Sequence, residues 1–71
     1  MRYGLQYLSG DKWVWENGPC GGWKTLEKAR EAREHQRKLF GNSRFRIVLF
    51  RLVTIPWWWT DYQIIRIVEE T

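Results

Sequence analysis

Three consecutive tryptophans, Trp57-Trp58-Trp59, are the residues of this chain best suited to hold another molecule. Side chains alternate along an extended chain, so Trp57 and Trp59 point one way and Trp58 the other. At least one ring is then exposed unless a partner covers it. Tryptophan is a favoured interface anchor because it buries a large area at low rotamer cost. The plainer alternative is that the rings close one end of a small core. Arg44, Arg46, Arg51 and Arg66 come from two strands expected to be neighbours. With aromatics between them, such cations can grip a carboxylate-rich protein surface in bidentate pairs. They can also hold phosphates beside stacked bases, or stay as solvated charges that discourage edge pairing. The partner-binding set expected from the sequence is Trp57, Trp58, Trp59, Arg44, Arg46 and Arg66.

Catalytic chemistry finds less material. Cys20 sits in a glycine-rich loop, and a nucleophilic thiolate needs a neighbouring base. The single histidine, His35, falls on an outward angle of a predicted helix. The Gly18–Gly22 loop has the glycine content of a phosphate cradle but lacks the Lys-Ser/Thr that follows in a P-loop. Asp11, Glu16 and Asp61 form no carboxylate pair, and one Cys with one His cannot complete a four-ligand zinc site. The expectation is a protein that is not an enzyme and carries no metal or cofactor.

Composition sets the scale. Seventy-one residues make a single domain, residues 1–71. A chain this short buries only about 60% of the surface that it exposes when unfolded. A single cysteine rules out an internal disulfide, so stability must come from burying rings: six Trp, three Tyr and three Phe. That number exceeds what one thin core should need, which points the surplus to the surface or to an interface between subunits. The net charge of +4 and a pI near 9.6 favour acidic partners, either protein or nucleic acid. No stretch approaches eighteen uncharged apolar residues, so no membrane span or membrane partner is expected. Met1-Arg2-Tyr3-Gly4 lacks an apolar signal region, and a lone thiol fits a reducing cytoplasm.

The elements that position these residues follow from local pattern. Tyr3–Leu8 and Lys12–Glu16 alternate around Ser9-Gly10-Asp11 and read as a β-hairpin. Asn17–Gly22 is a loop. Thr25 is a suitable N-cap, Glu27 suits the positive helix end, and Gly41 suits the stop after a helix from Leu26 to Phe40. Leu26, Ala29, Ala32, Leu39 and Phe40 share one arc, with Gln36 inside it and Arg33 at its edge. Arg44–Ile55 is an apolar, β-branched run that ends at Pro56, and Tyr62–Glu69 is a last strand. Arg44 and Arg46 differ in parity from Arg51. Either a bulge near Leu49-Phe50 resets the phase of that strand, the favoured expectation, or both faces are covered. The fold class is α+β: order ββαββ, a four-stranded mainly antiparallel sheet with one helix on one face and the other open or covered by a dimer partner. Trp13 and Trp15 share one strand face, and the expectation places them in the core beneath the helix beside Tyr3, Leu5 and Tyr7; a platform on the open side is the alternative.

Gly22-Trp23-Lys24-Thr25-Leu26-Glu27-Lys28-Ala29, followed later by Arg46-Ile47-Val48, resembles a layout of small accessory proteins of bacteriophages. In these a hairpin leads through an aromatic residue and a Thr into a helix, and an apolar strand follows. The resemblance covers most of the chain. It implies a non-catalytic modulator or inhibitor of a host protein complex, acting in the host cytoplasm. Lys12-Trp13-Val14-Trp15 with Trp23 and Thr25–Ala29 is also similar to plant-type sheet-reading DNA-binding domains, but two clear strands precede the helix here instead of three. The first reading is therefore a protein-binding module. The alternatives are a nucleic-acid-binding domain using a basic aromatic sheet face, and a homodimer that buries the Trp run.

Overall fold

The computed structural model describes residues 1–16, 21–41, 43–55 and 59–70, with backbone alone at 54, 55, 59 and 60. Its elements are β1 (Arg2–Ser9), β2 (Lys12–Trp15), α1 (Leu26–Leu39), β3 (Phe45–Ile55) and β4 (Trp59–Glu70). They form one antiparallel sheet in the order β2-β1-β3-β4, with α1 on one face. The expected ββαββ order and one-helix architecture are thus observed. β1 pairs with both β2 and β3, so the helical connection crosses over β1.

The hairpin turns through Gly10, whose φ of 65° is left-handed and easy for glycine alone. Thr25 is the N-cap: its hydroxyl accepts from the Lys28 N–H at 3.2 Å. Glu27 lies in the first turn and Arg37 and Lys38 in the last, each complementing the helix dipole. Leu5, Ala29, Phe45 and Ile47 are fully buried between helix and sheet, and Tyr3, Tyr7, Trp23, Leu26, Ala32 and Val68 close around them. The two alanines let the helix approach the sheet closely, as the sequence suggests.

The last helical turn differs from expectation. Leu39 and Phe40 are exposed, while Arg33 is buried and Gln36 half-buried. Phe40 leaves helical geometry (φ −132°, ψ 66°), so its ring is not carried onto the packed face. Arg33 tolerates burial because it donates through Nη1 to Glu69 Oε2 at 2.9 Å, and Arg30 grips the other carboxylate oxygen. These two hydrogen bonds clip the helix to β4 across the sheet. They also hold the Glu69 carboxyl below its usual range, Arg33 contributing more than Arg30. A depressed carboxyl pKa adds stability that is present above the unfolded-state pKa and is lost as pH falls through the folded value. Glu69→Gln should therefore flatten the acid limb of a urea-midpoint-versus-pH profile. A profile identical to the parent's would show that the clip carries no stability.

The ladder between β3 and β4 slips twice. Leu49 faces Arg66 and Phe50 faces Ile64, leaving Ile65 extra; Ile47 faces Glu69 and Val48 faces Ile67, leaving Val68 extra. A bulge thus occurs at Leu49-Phe50, but the added residue belongs to β4 and not to β3. β3 keeps its alternation, and Arg51 stands on the helix side of the sheet, where it is exposed.

Candidate docking surface

Gly4, Gln6 and Leu8 share the face away from the helix with their cross-strand partners, and this corrects the placement of two tryptophans. Trp15 stands opposite Gln6 and Trp13 opposite Leu8, so both indoles lie on the open face and not beneath the helix. The Tyr3-Leu5-Tyr7 row points the other way, into the helix-side core. The reason is register: a strand's faces alternate strictly, and this hairpin pairs the Trp positions with the polar side of β1.

The open face is partly packed by rings. Trp15 meets Phe50 at 5.1 Å between centroids and Tyr62 at 4.9 Å, both edge to face. They fit because Gly4 lies beneath them; a Cβ there would sit 2.4 Å from the Trp15 ring. Val48 and Phe50 are fully buried in this layer. The Trp15 indole N–H, although out of solvent, has no hydrogen-bond partner among the described residues.

Next to this layer the face is bare. Leu52, Tyr62, Ile64 and Ile67 stay 46%, 38%, 36% and 48% exposed, and they form a row across β3 and β4. At one end Met1, Arg2, Phe50, Arg51 and Leu52 line a groove. Arg2, opposite Phe50, brings positive charge to that end, while the Arg51 guanidinium stays on the helix side, where its Nε donates to Gln63 Oε1 at 2.8 Å. At the other end Arg46 lies over the Trp13 ring at 4.4 Å and donates through Nε to Gln6 Oε1 at 2.6 Å. Burial lowers the Arg46 pKa from its ordinary value and Glu70 partly opposes this; the guanidinium stays charged.

The arginines chosen from sequence are not gathered in one place. Arg44 pairs with Glu70 at 3.1 Å, Arg46 stacks on the open face, and Arg66 stands opposite Leu49 on the helix side. Trp57 and Trp58 lie outside the described residues, as does Cys20; Trp59 begins β4, with only its backbone described. The sequence reading missed the row Leu52, Tyr62, Ile64 and Ile67. Its signal was present in the two apolar doublets of β4, Ile64-Ile65 and Ile67-Val68.

Other sites offer less. A cleft of about 270 Å³ at the end of the helix is lined by Tyr7, Glu16, Phe40, Ser43 and Phe45, under the roughly 300–1,000 Å³ common for small-molecule pockets. Among the described residues no group of three or more His, Cys, Asp or Glu could hold a metal ion, and no helix is long and apolar enough to cross a membrane. Comparison with protein-family models, with curated proteins and with solved structures finds no match for this chain.

Proposed function

We propose that this chain is a non-catalytic protein-binding module that docks through the helix-free face of its sheet. The observation that carries the reading is the exposed row Leu52, Tyr62, Ile64 and Ile67, set beside a ring cluster whose Trp15 indole N–H has no partner among the described residues. Exposed contiguous apolar surface on a small domain marks an interaction site. A rigid aromatic backing lowers the entropy cost of binding there. Arg2 at the rim suits an apolar anchor flanked by a carboxylate. The resemblance to phage accessory proteins supports a host protein complex as the partner class and modulation or inhibition as the outcome.

The nucleic-acid alternative has weaker support. The helix cations Arg30 and Arg33 are held by Glu69, and Lys28 and Arg37 have carboxylate neighbours, so that face offers few cations to phosphates. The bare row itself is uncharged, three aliphatic side chains and one tyrosine, where a nucleic-acid surface would be cationic. Affinity capture from a bacterial lysate tests the choice, comparing wild type with Leu52→Asp. Leu52 is nearly half exposed, so the substitution should shift stability by less than about 1 kcal/mol. It should weaken capture at least about 30-fold, the effect of losing one interface anchor. Binding to protein should survive raised salt, whereas phosphate binding should fall steeply. Capture equal for both chains would sink the proposal.

A further inference from the structure

β4 is an edge strand of twelve residues, whereas the opposite edge, β2, has four. Natural edges are blunted by Lys, Pro or bulges. β4 contains neither Lys nor Pro, and Ile64, Ile65 and Ile67 are exposed along it. Its defences are the two bulges and one side chain: Asp61 Oδ1 accepts from the Tyr62 N–H at 2.7 Å. That carboxylate satisfies an amide on the side where a further strand would add. By alternation the Ile64 N–H faces the same side.

We propose that the outer edge of β4 pairs antiparallel with the same edge of a second copy of this chain, about a two-fold axis at Gln63, with Asp61 of each copy meeting Arg66 of the other. In this register the Tyr62 N–H exchanges Asp61 Oδ1 for the partner's Ile64 C=O, which releases the carboxylate to Arg66 of the other copy, and Gln63 faces itself. Asp61, Gln63 and Arg66 stand opposite Val53, Arg51 and Leu49, so all three share the helix side of the sheet. Arg66 is in phase with Asp61 only because Ile65 is an extra residue. Arg66 has no ion pair or hydrogen bond among the described residues, so its charge is free to take a carboxylate. Centres further along the strand oppose Asp61 to Glu69 or Arg66 to itself; Gln63 is the centre that brings unlike charges together. The dimer closes the long edge of each sheet and joins the two rows of Tyr62 and Ile64 into one. It uses an edge and not the docking face, so either proposal stands without the other.

Sedimentation of the full chain over a concentration range is the first measurement. A concentration-dependent dimer is expected. Asp61→Arg and Arg66→Asp should each weaken it at least about tenfold, and the double swap should restore it. A second arm survives a swap that misfolds by circular dichroism. Residues facing each other in a non-hydrogen-bonded antiparallel pair have Cα atoms about 4.5 Å apart, within disulfide reach. Gln63→Cys, made in a Cys20→Ser background, should therefore oxidise readily to a covalent dimer, and Ile67→Cys should not. A chain that stays monomeric, as it would if the edge serves a strand of some other protein, overturns the proposal. So does a dimer that neither swap weakens, or a Gln63→Cys chain that does not cross-link faster than Ile67→Cys.

Discussion

Phe50→Ala is expected to lower the stability of this domain by about 3–5 kcal/mol, the usual cost of removing a buried Phe ring. A domain this small holds only about 3–5 kcal/mol in all, so much of the variant should be unfolded without ligand. The expectation is sharp because Phe50 lies on the face that has no helix over it. Its burial comes from the sheet's own rings: it is 1% exposed, edge-on to Trp15, and close enough to Gly22 that an added Cβ there would lie 3.1 Å from it. Phe40→Ala is the matched control. That ring is 57% exposed beyond the helix end, and its loss should move stability by less than about 0.5 kcal/mol. Urea unfolding of both variants measures the contrast. A Phe50→Ala cost similar to that of Phe40→Ala would mean that the open face is not a packed layer.

Much of this fold can be read from residue order, for identifiable reasons. The hairpin and the helix announce themselves through local chemistry: Ser9-Gly10-Asp11 needs a left-handed residue, and Thr25 can satisfy a helix N–H without help from anything distant. The face assignment of Trp13 and Trp15 is different in kind. Both parities of the first hairpin carry large rings, so period-two patterning cannot tell which row meets the helix; that depends on the pairing of β1 with β3. The bulges were half legible. The charge parity of β3 located one slip at Leu49-Phe50 but assigned it to the wrong strand. The clearer signal lies in β4, where the doublets Ile64-Ile65 and Ile67-Val68 break alternation, and both extra residues, Ile65 and Val68, are the second members of those doublets. Read that way, the doublets give Tyr62, Ile64 and Ile67 to one face, which is the bare row. The chosen arginines lie apart for reasons distant in sequence: Arg44 pairs with Glu70, Arg46 stacks on Trp13, and the extra residue Ile65 turns Arg66 to the helix side.

Gly4→Ala should destabilise the chain by about 1–3 kcal/mol, against the usual gain of about 0.4–1 kcal/mol for Gly→Ala where the backbone permits it. The backbone does permit it: Gly4 is an ordinary strand residue, and only Gly10 and Gly22 have positive φ among the described glycines. Space is what forbids it. The new methyl would sit 2.4 Å from Trp15 and 3.0 Å from Phe50. Trp15 cannot swing away freely, because Tyr62 holds its other side at 4.9 Å. Relief then requires breaking both edge-to-face contacts, each worth about 0.5–1.5 kcal/mol beyond burial. A loss of that size should lower the melting temperature of a domain of this length by about 4–8 °C per kcal/mol. The diagnostic is a double-mutant cycle with Trp15→Leu, which removes the clashing ring. The methyl should cost far less in that background, giving a coupling of about 1 kcal/mol or more. Additive effects would mean that Trp15 does not lie over Gly4, and the rigid backing argued for the docking row would go with it.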